Sequence, residues 1–334
     1  MTHKQKMIAA VVETIDGSFR LTEIARPPLG AGQVLVRIHA SGVNPLDTKI
    51  RAGAAAHARQ PLPAVLGLDL AGVIEDVAPD VTTLRVGDEV YGMTGGVGGL
   101  QGTLAEYAVV DSDLLSPKPA NLTMREAAAL PLVTITAWEG LVDRAKIRSG
   151  QTLLVQGGAG GVGHIAVQLG RAFGATVYAT GNAASMDFIR SLDATPIDYA
   201  AESVEEYVTR HTAGEGFDLI YDTGGGAILD ASFKAVKRFG HVVSALGWGS
   251  HSLAPLSFKG ATYSGVFTLA PLLTAVGRAH HGDILRQAAR LIEAGKLRPR
   301  LDPRSFTLDT IADAYAAITT GSSAGKIVVS IGER

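Results

Sequence analysis

The stretch that most constrains the chain is residues 152–180, TLLVQGGAGGVGHIAVQLGRAFGATVYAT. Its apolar run at 153–155, bounded downstream by glycines, suits a parallel strand buried on both faces. Gly158, Gly160 and Gly163 then form GxGxxG, and Ile165, Ala166, Leu169 and Phe173 recur at helical spacing. Gly174 ends that helix, and residues 176–180 read as a second strand. Strand, glycine turn, helix and strand within about thirty residues make a βαβ unit.

That order carries chemistry. Glycines let the turn take φ > 0 and let backbone N–H groups approach a pyrophosphate. The helix N-terminus adds unpaired donors and a partial positive charge. The string alone is a weak signal, because the chain holds 40 glycines. Between a strand and a helix it points to a dinucleotide, cradled by Gly158, Ala159, Gly160, Gly161, Val162 and Gly163. A glycine-rich turn that binds nothing is the alternative.

Downstream the alternation continues. Helices are expected at 185–192, 204–210 and 228–236, and strands at 196–199, 217–221 and 240–246. This predicts a doubly wound parallel sheet, with ligands at the carboxyl ends of its strands. Thr180, Asp222 and Leu246 then line one rim. No acid stands in residues 180–185, TGNAAS. Enzymes that use NAD place an Asp or Glu there for the ribose hydroxyls, so NADPH is the expected cofactor.

Upstream the chain is β-rich. Strands are expected at 7–14 and 34–39, joined by a Pro/Gly-bearing connection at 27–32. His39 reads as a strand histidine with a hydrogen-bond partner. In SGVNPLDTKIRAG, residues 41–53, Asn44 precedes Pro45 and is held extended, which forces a turn. Asn44 or Asp47 then caps a helix; alternatively the loop is polar and faces a nicotinamide. Residues 66–92 alternate short strands with tight turns. The glycine cluster at 95–102 reads as a substrate-side loop or a long hairpin connection. Pro117 and Pro119 mark a boundary, and Thr123 with Glu126 forms a capping box ahead of helical residues 122–141. Further on come a β-rich piece at 263–268, helices at 284–294 and 311–318, and a closing strand at 327–331. His280 and His281, adjacent in sequence, read as a solvated pair and not as metal ligands.

The 334 residues suffice for two domains. A net charge of −2 gives no reason to expect nucleic acid or an anionic membrane as partner. No apolar run reaches the roughly 18 residues of a membrane span. The N-terminal MTHKQKMIAAVVE reads as a first strand and makes a poor signal peptide. The chain has no cysteine, which excludes disulfides, thiol nucleophiles and cysteine-based zinc sites, and fits a cytoplasmic protein.

The segments SGVNPLDTKIRAG, GLDLAGVI, VGDEVYG, LPLVTITAWEGL, GGAGGVGHIAVQLGRAFGA, YDTGG and GKIVV, in this order, resemble the zinc-independent medium-chain dehydrogenase/reductase superfamily, near the zeta-crystallin-like quinone oxidoreductases. The resemblance implies an α/β chain in two domains. A GroES-like β-rich catalytic domain would take residues 1–124 and 267–334, and a Rossmann NADP-binding domain residues 125–266, with the active site in the cleft. It implies NADPH, a quinone, enone or enal substrate, no metal, and a homodimer paired through residues 263–268. Where zinc-dependent relatives carry a catalytic cysteine this chain has Asn44, and Leu68-Asp69 replaces their His-Glu pair. Thr48 is followed by Lys49 where several quinone reductases carry a tyrosine. Gly181, Ser185 and Tyr199 fall at the 2′-phosphate position, and Thr223, Leu246, Phe267, Thr268 and Lys326 join Thr180 along the cofactor. The expected polar contacts for substrate or nicotinamide are Asn44, Asp47, Lys49 and Thr136. A zinc-free alcohol or aldehyde oxidoreductase, or a non-catalytic NADPH-binding sensor or structural protein, are the alternatives.

Overall fold

The computed structural model describes residues 6–332. The chain divides into two compact units, Met1–Leu132 with Leu269–Glu293 and Pro299–Arg334, and Val133–Thr268 with Ala294–Arg298. The expected boundaries at 124/125 and 266/267 lie eight and two residues before the corresponding breaks.

In the first unit, strands β1 (Lys6–Val12), β2 (Arg20–Ala25) and β3 (Gln33–Val43) lead into helix α1 (Pro45–Arg51). Strands β4 (Ala64–Val65), β5 (Asp69–Val77), β6 (Glu89–Met93), β7 (Tyr107–Asp111) and β8 (Leu115–Pro117) precede helix α2 (Met124–Ala128). Thr123 accepts from Glu126 N–H and the Glu126 carboxylate accepts from Thr123 N–H, as the capping-box pattern predicts. β3 alternates buried and half-buried residues and pairs antiparallel with both β5 and β7. Gly42 Cα lies where a Cβ would fall 2.2 Å from the Ala128 carbonyl oxygen, so only glycine lets α2 close on β3 there.

The second unit starts within α3 (Pro131–Trp138) and runs β9 (Thr152–Gln156), α4 (Gly161–Ala172), β10 (Thr176–Gly181), α5 (Met186–Arg190), β11 (Thr195–Asp198), α6 (Val204–Thr212), β12 (Phe217–Asp222), α7 (Gly226–Ala235), β13 (Val236–Ser244), α8 (Ala254–Lys259) and β14 (Thr262–Gly265). The six strands are parallel in the order β11-β10-β9-β12-β13-β14. Counted by appearance this is 3-2-1-4-5-6, the doubly wound dinucleotide order, whose switch point lies between β9 and β12. Leu154, Phe217, Ile220, Phe233 and Val242 form one buried cluster with the helices over that sheet.

The chain then returns to the first unit through α9 (Ala270–Thr274), α10 (Arg278–Glu293), β15 (Phe306–Thr307), α11 (Ile311–Thr319) and β16 (Ile327–Ser330). β16 inserts between β15 and β3, and all four of its residues are buried. Among the described residues no helix is long and apolar enough to cross a membrane.

The structure adds to these expectations and corrects them. β2 (Arg20–Ala25) lies ahead of the expected connection at 27–32, where the sequence predicts no strand: it is an edge strand of half-exposed residues, so its apolar alternation is faint. α10 begins six residues before the expected 284, because its core-facing stripe starts at His281, which is fully buried while His280 is exposed. The two histidines are therefore not a solvated pair. The glycine cluster is not a hairpin connection, because β6 pairs with β5 and β8 while β7 pairs with β3; residues 94–97 are buried, Gly98 and Gly99 are exposed, and a Cβ on Gly102 would sit 2.2 Å from the Leu66 carbonyl oxygen.

Candidate active site

Strand pairing assembles a buried polar network in the first unit. β16 and β3 run antiparallel with Ile327 opposite Val43, so Lys326 lands beside Asn44. Lys326 Nζ donates to Asn44 Oδ1 and, at 3.2 Å, to the Val43 carbonyl oxygen. Asn44 Nδ2 donates to Asp69 Oδ2 at 2.9 Å. The other Asp69 oxygen accepts from Leu132 N–H at 3.0 Å. Asn44 N–H donates to Asp47 Oδ2 at 2.7 Å and closes the first turn of α1. The Asn44 amide faces an ammonium on one side and a carboxylate on the other, so its orientation is fixed: Oδ1 can only accept and Nδ2 can only donate. Relative exposure is 1% for Asn44, 0% for Asp47 and Asp69, and 7% for Lys326.

Two carboxylates thus share one buried ammonium. Burial pushes the Asp47 carboxyl up to about 8, against the hydrogen bond from Asn44 N–H, with Asp69 adding to the rise. Burial also raises Asp69, to about 6, opposed first by the Lys326 charge and then by the Asn44 side chain. Lys326 is lowered by burial, against the pull of Asp69 and Asp47. The ammonium acts more strongly on Asp69, so of the two carboxyls Asp47 holds its proton to the higher pH. The Tyr315 hydroxyl is buried in the same environment, raised by burial and by Asp47. Among the described residues neither Tyr315 Oη nor Asp47 Oδ1 meets a hydrogen-bond partner.

A raised carboxyl makes folding weaken as pH climbs from the unfolded value of 3.8 toward the folded value of about 8, because the unfolded chain ionises first. Asp47→Asn removes that titration and keeps an acceptor for Asn44 N–H. The melting temperature of the variant should therefore gain on the wild type steadily between pH 4 and 8, in thermal scans across that range. Parallel profiles would contradict a buried, protonated Asp47.

In the second unit the glycine turn sits at the sheet's switch point. The glycine with φ > 0 is Gly157, at +77°, one residue before the GxGxxG string. The string's own glycines answer to close approach. A Cβ on Gly158 would lie 2.4 Å from Ala179 Cβ, and one on Gly163 would lie 2.0 Å from the Gly157 carbonyl oxygen. Gly160 caps α4 with no side-chain hydrogen bond, and Gly160 and Gly161 are exposed, so the donors of the helix N-terminus face outward. Thr180 Oγ1 accepts from Gly157 N–H at 3.0 Å and donates to Gln156 Oε1 at 2.8 Å. Thr223 Oγ1 donates to the Gln156 carbonyl oxygen at 2.6 Å. Asp222 Oδ1 accepts from Gly224 and Gly225 N–H, and Oδ2 from Ser244 Oγ at 2.6 Å, tying the ends of β12 and β13 together.

The structure brings Gly181, Ser185 and Tyr199 together at the ends of β10 and β11. A Cβ on Gly181 would lie 2.3 Å from Ser185 Oγ, and Tyr199 N–H donates to the Gly181 carbonyl oxygen at 3.3 Å. Tyr199 is 62% exposed. Asp198, opposite Gly181 in the sheet, turns Oδ1 to Ala200 N–H. Leu246 and the half-exposed Phe267 lie just beyond β13 and β14, and Thr268 is buried. Thr136 is buried within α3, and its carbonyl oxygen accepts from Tyr221 Oη at 2.7 Å. Lys49 is exposed on α1, whereas Lys326 is enclosed by Asn44 and Val43. Asp69 and Gln156 were not among the expected site residues. The signal for Asp69 was an acid inside the apolar run GLDLAGVI, which a chain tolerates only when the acid is paired.

Residues 30–120 match the alcohol dehydrogenase GroES-like domain, and residues 192–329 match a family described as zinc-binding dehydrogenase. The chain is 36% identical over 316 residues to a tomato (Solanum lycopersicum) 2-methylene-furan-3-one reductase, covering 92% of this chain and 74% of that protein. The chain belongs to the medium-chain dehydrogenase/reductase superfamily. A second relative of this superfamily, the chloroplastic NADPH-dependent alkenal/one oxidoreductase of Arabidopsis thaliana, is 35% identical with the same coverage. A crystal structure of an alcohol dehydrogenase superfamily protein from Novosphingobium aromaticivorans superposes with a TM-score of 0.95 at 61% identity, over 97% of this chain and 99% of that one.

Within this superfamily two implied groups fare differently. The outward N–H groups of α4, with glycine wherever a Cβ would fill the turn, fit the pyrophosphate of a nicotinamide dinucleotide. For zinc, no three His, Cys, Asp or Glu side chains gather among the described residues, and the sequence has no cysteine.

Proposed function

We propose that this dehydrogenase/reductase uses NADPH to reduce a carbon–carbon double bond conjugated to a carbonyl, as in enones and enals, with quinones as a second acceptor class. NADPH, when bound, supplies the hydride. The observation that supports the reading is the buried Asp69–Asn44–Lys326 network, a carboxylate, a fixed amide and an ammonium already engaged with one another. Such a site offers hydrogen bonds and local potential but no Lewis acid. A conjugated acceptor spreads the incoming electron pair onto its oxygen and needs less help. Hydride adds to the β-carbon, the enolate forms, and a proton from water or a side chain closes the reaction at the α-carbon. We assign Asn44, Asp47 and Lys326 to setting the potential of the turn after β3, with Lys49 and Thr136 as candidate polar contacts.

The absence of an acid in residues 180–185, with Ser185 and Tyr199 gathered at Gly181, supports NADPH over NADH. No lysine stands at this point, so the preference should be about tenfold to a hundredfold, ~1.4–2.7 kcal/mol. Fluorescence titration with both cofactors checks it, and equal or tighter NADH binding would contradict it. A homodimer fits the outer edge of β14, whose backbone pairs only with β13. Light scattering should return twice the chain mass. The cysteine-free composition and low net charge favour a cytoplasmic protein with no nucleic-acid or membrane partner.

A further inference from the structure

One side chain ties the loop after β13 to a helix and to itself. His251 Nδ1 lies 2.8 Å from Asp230 Oδ1 on α7, and His251 Nε2 lies 3.1 Å from the Trp248 carbonyl oxygen. A carboxylate and a carbonyl both only accept, so both bonds exist together only when both ring nitrogens carry hydrogen. That species is the imidazolium. A neutral ring keeps one bond and turns a lone pair toward the other oxygen.

The ring's partners favour its charged form, and burial opposes it. The His251 side chain is 11% exposed and the Asp230 side chain 51%. α7 also presents the Phe233 ring, 6.2 Å away and edge-on. The charged groups acting on the imidazole are Asp230 and, from the end of β12, Asp222. Asp222 is itself engaged by Gly224, Gly225 and Ser244. Trp248 is 55% exposed and meets the edge of Phe267, beyond β14, at 6.3 Å. Gly249, at φ +103°, lies between Trp248 and His251, so the loop turns on a residue free to change conformation.

We propose that His251 is a positioning residue, a proton-dependent latch that fastens the Trp248 loop to α7 at the carboxyl end of the parallel sheet. Protonated, it ties Asp230 to the Trp248 backbone. Deprotonated, it releases one of the two, and the indole leaves its place beside Phe267. The hydrogen bond to the Asp230 carboxylate, then that to the Trp248 carbonyl oxygen, raise the His251 pKa above the ordinary 6.5. The latch is therefore closed at low pH and is lost as pH rises through that higher value. What the closed loop faces, the nicotinamide end of the cofactor, rests on the function proposed above.

The test reads tryptophan emission of the full chain, without added cofactor, from pH 5.5 to 9.5. The chain has two tryptophans and Trp138 is buried, so Trp248→Phe identifies the signal. The latch predicts one transition centred above pH 6.5, abolished in His251→Gln and moved to lower pH in Asp230→Asn. A flat wild-type profile, a transition that survives in His251→Gln, or an unmoved midpoint in Asp230→Asn would overturn it. NADPH titrations at pH 6 and pH 9 separate the two readings. A transition without NADPH binding leaves the latch standing and removes the cofactor assignment. Binding without a transition removes the latch alone.

Discussion

Lys326→Met is expected to lower the stability of the first unit by about 3–5 kcal/mol near pH 7.5, the scale of leaving a buried charge without its counter-charge. Methionine keeps the length of the stem and removes the charge. Asn44 Oδ1 then loses its donor, and the Asp69 carboxylate stays buried without a counter-charge. The loss should shrink at pH 5. Asp69 already sits at about 6 with the ammonium present, so without it the carboxyl takes a proton more readily and the unpaired charge disappears. Urea unfolding of both proteins at the two pH values measures this. A deficit under about 1 kcal/mol at pH 7.5 would be in the range of an exposed pair and would contradict the buried network.

Gly163→Val should remove dinucleotide binding and leave the first unit folded. A Cβ at this position falls 2.0 Å from the Gly157 carbonyl oxygen and 2.8 Å from its carbon, a backbone contact that no rotamer relieves. Helix α4 must retreat from the turn, and its N-terminal donors retreat with it. NADPH affinity should fall at least about a hundredfold, ~2.7 kcal/mol. Calorimetric titration reads the loss, and a dissociation constant within threefold of wild type would show that the turn is not the pyrophosphate cradle.

The parallel sheet was legible because its strands are buried on both faces and read as short apolar runs between glycines. Residues 153–155 and 217–221 each fall inside an observed strand for that reason. The glycine turn was legible as a string but its geometry was not: the left-handed residue is Gly157, which lies outside the motif. Strand β13 starts at Val236, four residues before expectation, because Phe239 enters it at φ +61° beside a register shift against β12. The candidate site was legible only in part. Asn44 and Asp47 announce themselves through the Asn-Pro turn and the α1 cap. Lys326 reaches Asn44 from 282 residues away through the β16–β3 register, and no local pattern encodes that pairing. Sequence placed Asn44 and Asp47 as polar contacts, and the fold buries both; under the proposed function their influence on a bound molecule runs through potential and orientation.

The most direct test follows the label from NADPH carrying deuterium at C4 into an enone, with rates compared against a quinone and against a simple alcohol with NADP+. The account predicts a saturated ketone with deuterium on the β-carbon, turnover of enone or quinone, and barely measurable alcohol oxidation. Deuterium on the carbonyl carbon, or faster oxidation of the alcohol than reduction of either conjugated acceptor, would contradict it.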